Sequence, residues 1–573
     1  MRLNFLKIIY LLALLAIVLR LFYWQVIRFD DLSVLAEQQH LVSRTLEGSR
    51  GIILSSDGFI LASNKPVFLL FGLPKLVKDK TKTSEKLAGI IFNSKKEENS
   101  KINPEDILYL KTDLLSKLSS DLDWVVLKKD VDLEIKNEIE KMNIQGIDFE
   151  NHMSRFYPES SSAAHVLGFV GSDPLGEQMG YFGVEGFYNG RLKGVGGLLT
   201  EEKDAGGLPI MAGRFFKREP KSGYNLILNI DRTIQYIVEK KLQAGVEKYG
   251  AKSGGVVVMD PKTGGILAMA SFPNYDPANF TRFPKEYFKN PIVADSFEPG
   301  SIFKILVMSA TLNENIIKSD TKCDICSGPV QISEYLIKTW NNKYYPDSTM
   351  SDVIIHSDNT GMVFVGKKLG IEKMNQYLND FGFGSLTGID LQDEISPDLR
   401  SKNQWREIDL ATASFGQGIA VTGIQMVTAV GALANGGNLM EPHIVKKIQS
   451  GDKIEEIKPR VVKKVVTPEV AGMITSMMVD AVEKGEAKAF APKGFKIAGK
   501  TGTAQIPVAG HYDPDKTIAS FVGFAPVDDP KFVMLVSYWE PSSSIFGSET
   551  AAPTFFEIAQ DILVYFNTAP DLR

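Results

Sequence analysis

Phosphate-cradling loops, basic stripes, nucleophile elbows and histidine clusters are all missing from this chain of 573 residues. No GxxxxGK[ST] segment occurs, and the formal charge is −5 with no dense Lys/Arg face, which excludes nucleotide-driven motors and gives no footprint for nucleic acid. There is no GxSxG, so a strand-to-helix serine elbow is excluded as well. The six histidines are scattered singly, leaving no ligand set for a metal, and no cofactor is expected. Cysteine is almost absent: Cys323 and Cys326 stand alone in "CDIC". Outside a membrane such a pair favours a small disulfide over half of a zinc site, with free thiols as the other option.

Long apolar runs are scarce too. One stands out, at the start: Arg2 and Lys7 precede the uncharged stretch Ile8 to Leu19, and after Arg20 the apolar character resumes through Ile27. Taken as one helix, Ile8 to Ile27 is roughly 30 Å long at about 1.5 Å per residue, enough to cross a bilayer, and no small-residue cleavage site follows. The expectation is a cytoplasmic tail at 1–7, an uncleaved anchor at 8–27 and everything beyond it extracytoplasmic, since positive charge flanks the short N-terminal side. Arg20 inside that span either snorkels to the interface or faces a membrane partner.

What remains is 44% hydrophobic and 23% charged, a globular composition with room for two or more cores. The stretch Gly48 to Asn64, "GSRGIILSSDGFILASN", reads as a hairpin around a Ser-Asp-Gly turn. From Lys75 to about Glu150 charged helical stretches follow, with "KDKTKTSEK" and "NSKKEENSK" read as solvated surface loops. Near residue 220 the pattern changes to a strand ending at Asp231 and an apolar helix of period 3.6. "GGVVVMDPKTGGILAMAS" and "FVGFAPVDDPKFVMLVSYW" each read as two strands around an Asp-Pro turn, with more than 200 residues of helix and loop between them. Strands at both ends and helices between give an α+β domain at 221–573, after a mixed region at 28–220.

Three short elements carry chemistry. In "FEPGSIFKILVMSATL", Ser301 stands where a helix begins and Lys304 follows one turn later on the same face, so Ser301 is either a helix cap or a nucleophile with an amine behind it. The helix N-terminus favours an incipient alkoxide and disfavours a protonated lysine. The same S-x-x-K spacing recurs at Ser319–Lys322 and Ser450–Lys453, but in polar stretches with no apolar helix behind. "HSDNTG" supplies Ser357, Asp358 and Asn359, a hydroxyl and an amide suited to proton relay and amide recognition, while "SKN" at 401–403 lies in a polar loop. His356 beside Ser357 lacks an Asp partner with supporting spacing. "IAGKTGTAQI" places Lys500, Thr501, Gly502 and Thr503 on a strand suited to a peptide carboxylate, whereas the "KTG" at 262–264 occupies a hairpin turn.

The ordered set, S-x-x-K, then S-D-N, then K-T-G, resembles that of the penicillin-binding proteins and the serine β-lactamases related to them. "RGIILSSDG", "RFYPESSSAAHVLGFVG", "GVEGFYNGRLKG" and "KDAGG" resemble the pedestal of class B members, and "SFGQGIAVTGIQMVTAVGALANGG" with "ASFVGFAPVDDP" resembles the septal, cell-division subfamily more than the elongation one. The resemblance implies a transmembrane helix, a pedestal of the dimerisation type at 28–220, and a β-lactamase-like transpeptidase domain at 221–573. It implies a peptidoglycan D,D-transpeptidase in the bacterial cytoplasmic membrane, acting on stem peptides that end in D-Ala-D-Ala and acylated by β-lactams. Ser301 is then the nucleophile, Lys304 the base, and Ser357 with Asn359 the relay. Lys500, Thr501, Gly502 and Thr503 form the carboxylate subsite, and the N–H groups of Ser301 and Thr503 the oxyanion hole. A SEDS-family glycan polymerase and other division proteins are the implied partners. A β-lactamase or β-lactam sensor is the competing reading, but the E-x-x-L-N motif of a class A hydrolase is missing between SDN and KTG. So is the acidic signature of a glycosyltransferase at 28–220.

Overall fold

The computed structural model describes residues 2–33, 41–93, 104–174, 176–202, 210, 215–508 and 511–570. The chain divides into two compact units, residues 1–51 with 193–223, and residues 52–192 with 224–573.

The first unit holds the N-terminal helix, Arg2–Phe22, which runs on through one π turn, Tyr23–Ile27. It is the one helix among the described residues long and apolar enough to span a bilayer, and its helical part starts earlier than the apolar run because Arg2 to Lys7 also adopt helix. The Arg20 guanidinium lies 5.6 Å from the Trp24 ring centre, one turn on. A three-stranded antiparallel sheet of Leu41–Leu46, Gly197–Glu202 and Phe215–Arg218 completes the unit. The "KDAGG" segment lies outside the described residues.

In the second unit the expected hairpin is present: Ile53–Leu54 pairs antiparallel with Ile60–Gly72. A seven-stranded sheet is built on it, and Asn225–Leu228 and Val445–Ser450 join the same sheet, so segments from both sides of residue 220 share one set of backbone hydrogen bonds. The polar stretch "KDKTKTSEK" is not a loop: from Lys80 it forms a helix to Asn93, started by Asp79, whose Oδ1 accepts from Lys82 N at 2.9 Å. Leu87, Ala88 and Ile91 bury one face of that helix, which its polar first turns conceal. The second polar stretch lies outside the described residues beyond Asn93.

The C-terminal part carries a helix α1 (Arg232–Tyr249), capped by Asp231, and strands β1 (Ser253–Met259) and β2 (Ile266–Phe272). Helices α2 (Lys304–Asn313), α3 (Met350–Ile355), α4 (Asn359–Asp380), α5 (Gly423–Ala434) and α6 (Pro468–Lys484) follow. Strands β3 (Ala498–Val508), β4 (His511–Ala525) and β5 (Phe532–Trp539) and helix α7 (Ala551–Tyr565) complete it. The sheet order is β2-β1-β5-β4-β3, antiparallel throughout. Both Asp-Pro hairpins are as expected, and the α+β architecture with them.

Side chains alternate across this sheet. Val256 and Val258 join α1 and α7 in one core, while Val257 and Met259 join α2 and α5 in the other, which is why β1 reads as an unbroken apolar run. Helix α2 is buried from Lys304 to Leu312, all round, as the central helix of the larger core must be.

Candidate active site

Three segments meet at the edge strand β3. The first is the turn Gly300–Phe303, a 3₁₀ turn that precedes α2. It is anchored from below by Ile302 and Phe303, both buried, with Phe303 packed on Phe383 at 5.3 Å. From the side Gly300 N donates to Gly416 O at 3.0 Å, and a Cβ on Gly416 would lie 2.2 Å from Gly300 O. Gly416, the first glycine of "SFGQG", is thus a steric requirement of the turn that carries Ser301.

Ser301 is not a cap: no side chain caps this turn, and among the described residues its Oγ makes no hydrogen bond. Nor does Lys304 reach it with a hydrogen bond, as the one-turn spacing suggested. Lys304 Nζ donates instead to Ser357 O at 2.6 Å, to Ser357 Oγ at 3.2 Å and to Asn359 Oδ1 at 2.8 Å. The side chain is fully buried, and burial, reinforced by the nearby Lys500 charge and opposed by Asp358 and Glu486, lowers its pKa to about 7.

The second segment is the turn between α3 and α4. Ser357 has φ of 54°, a left-handed backbone that costs a non-glycine residue energy and turns its carbonyl onto Lys304. Asp358 does structural service: its Oδ1 caps α4, accepting from Thr360 N at 2.7 Å and Gly361 N at 3.3 Å. Asn359 is held at its other end by Nδ2 donating to Lys338 O at 3.0 Å. His356 stacks on Tyr345, ring centres 4.0 Å apart, and plays no part in the cluster.

The third segment is β3 itself. Lys500 Nζ donates to Ser357 Oγ at 3.0 Å and to Thr501 O and Oγ1, both at 3.2 Å. Burial lowers the Lys500 pKa, against the pull of Glu486. Ser357 Oγ therefore accepts from two lysines at once, which uses both lone pairs and leaves its own proton to give. A Cβ on Gly502 would come within 2.5 Å of Ser520 Oγ and 2.8 Å of Ile302 Cγ2. The glycine lets β3 lie against the Ser301 turn, a packing role beside the expected one of admitting substrate. Thr503 Oγ1 accepts from Gly547 N at 3.1 Å.

The structure thus brings together Ser301, Lys304, Ser357, Asn359, Lys500, Thr501, Gly502 and Thr503. The look-alikes stay apart: "KTG" at 262–264 is the β1–β2 turn, and Ser450 and Lys453 flank the turn of another hairpin. Sequence reasoning missed Glu486, whose Oε2 lies 3.2 Å from Thr501 Oγ1. Nothing in "VEKGEAKAF" marks that carboxylate out from a solvated one. Cys323 and Cys326 are joined as a disulfide.

Comparison with known proteins shows the family. The family described as the penicillin-binding protein transpeptidase domain matches residues 254–562, and the penicillin-binding protein dimerisation domain matches 45–228. The chain belongs to the penicillin-binding protein transpeptidases. This transpeptidase is 33% identical to stage V sporulation protein D of Bacillus subtilis over 99% of its own length and 86% of that protein. It is 29% identical to the peptidoglycan D,D-transpeptidase FtsI of Escherichia coli, over 98% of this chain and 91% of that one. A solved peptidoglycan synthetase from Bifidobacterium adolescentis superposes with a TM-score of 0.71 at 25% identity, covering 93% of this chain and 98% of the other. Penicillin-binding protein 3 of Mycobacterium tuberculosis shares the fold, with a TM-score of 0.69 at 23% identity, over 92% and 98% of the two chains.

Proposed function

We propose that this penicillin-binding transpeptidase cross-links peptidoglycan through an acyl-enzyme on Ser301. Ser301 Oγ attacks the carbonyl between the last two residues of a stem peptide ending in D-Ala-D-Ala. The peptide C–N bond breaks, D-alanine leaves with a proton, and an ester to Ser301 remains. An amine from a neighbouring strand then attacks the ester, forms the new amide and returns the proton to Ser301.

Lys304 takes the Ser301 proton. Its pKa of about 7 leaves a useful fraction of free amine at neutral pH, whereas an ordinary lysine would have almost none. Ser357 relays the proton to the leaving amine, and Asn359 orients the substrate amide. Lys500, Thr501, Gly502 and Thr503 form the subsite for the terminal carboxylate, and the N–H groups of Ser301 and Thr503 receive the developing oxyanion, each such donor lowering the barrier by about 2.7–4 kcal/mol. The observation that carries this reading is the shared hydroxyl of Ser357, hydrogen-bonded to both buried lysines within 3.2 Å.

The deciding experiment is intact mass of the detergent-purified chain after addition of penicillin, followed for hours. A long-lived adduct on the wild type that Ser301→Ala lacks is expected. An adduct that persists in the variant sinks the assignment, and one that vanishes within seconds indicates a hydrolase.

The N-terminal helix anchors the protein once in the bacterial cytoplasmic membrane, N-terminus inside, with residues 28–220 as the pedestal and residues 221–573 as an extracytoplasmic catalytic domain. The role is septal, resting on the resemblance of "SFGQGIAVTGIQMVTAVGALANGG" to the division subfamily; an elongation role is the second reading, and a fluorescent fusion along the side wall instead of midcell would establish it. Arg20 faces a SEDS-family polymerase or another division protein. Arg20→Leu is expected to weaken co-purification with that partner while leaving acylation unchanged, and undiminished co-purification refutes the role.

A further inference from the structure

The two hydroxyls of the carboxylate subsite are not equivalent. Thr501 Oγ1 accepts from Lys500 Nζ at 3.2 Å and lies at the same distance from Glu486 Oε2. An ionised carboxylate has no proton to give, so the single Thr501 proton points at Glu486. Thr503 Oγ1 accepts from Gly547 N at 3.1 Å, and among the described residues it donates to nothing. One threonine has spent its proton and the other has not.

Glu486 is placed by the fold. It follows α6 directly, in a turn where a Cβ on Gly485 would lie 2.3 Å from Ala481 O and 2.9 Å from Ile355 O, so the turn is pressed against the end of α3 beside Ser357. Glu486 is exposed, and its carboxylate lies 3.2 Å from Thr501 Oγ1, in the subsite that the proposed function gives to the ligand carboxylate.

We propose that Glu486 is a specificity-determining residue of this site, one that holds the Thr501 proton, leaves Thr503 as the sole hydroxyl donor to the ligand carboxylate, and opposes anionic ligands by its own charge. The inference rests on the function proposed above. It acts through Thr501, which makes Glu486 a positioning residue rather than a catalytic one. Its charge also acts on both lysines, alongside Asp358 for Lys304, holding their protons more tightly than burial alone would.

The test is the second-order rate of benzylpenicillin acylation of the full-length chain, read by intact mass between pH 5.5 and 9, in a double-mutant cycle. In Glu486→Gln the amide can donate to Thr501 Oγ1, which frees the hydroxyl proton for the ligand. Acylation is expected to rise roughly fivefold to tenfold, the scale of one hydrogen bond to a charged group. Thr501→Val should cost about threefold or less in the wild type but about tenfold in the Glu486→Gln background, whereas Thr503→Val should cost about tenfold or more in both. The acid limb of the rate profile should move to lower pH in Glu486→Gln and stay in place in Glu486→Asp, which keeps the charge; a merely structural role would move neither. An equal cost of Thr501→Val in both backgrounds, or slower acylation of Glu486→Gln, overturns the inference and leaves the transpeptidase reading standing. Failure of the wild type to form any Ser301 adduct overturns that reading, and the inference with it.

Discussion

Two of the places where the molecule buries charge treat it in opposite ways. In the pedestal Arg155 Nε donates to Glu185 Oε1 at 2.6 Å, the side chains 3% and 0% exposed, so each charge is cancelled by the other. In the active site two lysines, also buried, share one hydroxyl oxygen. Like charges in a poorly solvated site cannot both persist cheaply, and the conflict is relieved by Lys304 giving up its proton near neutrality. A neutralised pair locks a fold, whereas an unneutralised pair stores reactivity.

The largest test of that contrast removes the reactive member. Lys304→Met keeps the length and the packing of the buried stem while giving up the hydrogen bonds to Ser357 and Asn359, so the fold should survive, and acylation by penicillin should fall roughly a thousandfold, the scale of a lost general base. A rate within about tenfold of wild type would show that Lys304 is not the base.

Breaking the pedestal pair should do the reverse. Glu185→Gln removes the carboxylate charge that Arg155 Nε faces in a buried site and should lower stability by about 3–5 kcal/mol, read as a drop in the urea unfolding midpoint. Acylation of the protein that remains folded should stay within about twofold, since Arg155 and Glu185 stand on segments other than the three that carry the Ser301 cluster. Unchanged stability would mean that the pair is solvated in practice.

Much of this was legible in the sequence, and the reasons are local. Both Asp-Pro hairpins, the strand and helix around Asp231, and the three motifs in their order depend on patterns within a few residues. What was not legible depends on partners far away in the chain. The pairing of Ile53 with Leu226, and of Leu226 with Ile448, cannot be read from any one window. The helix from Lys80 was hidden because its buried face opens on polar residues, Thr83 and Ser84, and turns apolar only from Leu87. In the site, the Gly416 contact with Gly300 spans more than a hundred residues, and Glu486 looks like any surface carboxylate until β3 is placed beside it. The one-turn spacing from Ser301 to Lys304 was informative about the face and misleading about the bond, because Ser357 and Asn359 outcompete Ser301 for the amine.

Smaller effects follow from pH. Acylation needs Lys304 neutral, so below about pH 7 the rate should fall about tenfold per unit as the amine takes up its proton, and above pH 7 it should level off. Lys500 must stay charged to hold a carboxylate, and its own lowered pKa should bring a second, alkaline decline. A profile flat from pH 5 to 7 would show that Lys304 does not act as the base, and one that still rises about tenfold per unit well above pH 7 would show that its pKa is that of an ordinary lysine.

The smallest effect is expected where the sequence repeats itself. Lys-Thr-Gly occurs at 262–264 and again at 500–502, and only position in the fold separates them. Lys500 is buried on β3 against Ser357, while Lys262 is exposed in the β1–β2 turn, paired with Asp529 on the surface. Thr263 Oγ1 donates to Asp260 Oδ2 at 2.7 Å, closing its own turn, where Thr501 Oγ1 faces a carboxylate that follows another helix. Lys262→Ala removes one exposed ion pair, so stability should change by less than about 0.5 kcal/mol and penicillin labelling should proceed at the wild-type rate. Lys500→Ala in the same assay should suppress labelling. Equal behaviour of the two variants would mean that the tripeptide carries the chemistry without its surroundings, which the single hydroxyl shared by Lys304 and Lys500 argues against.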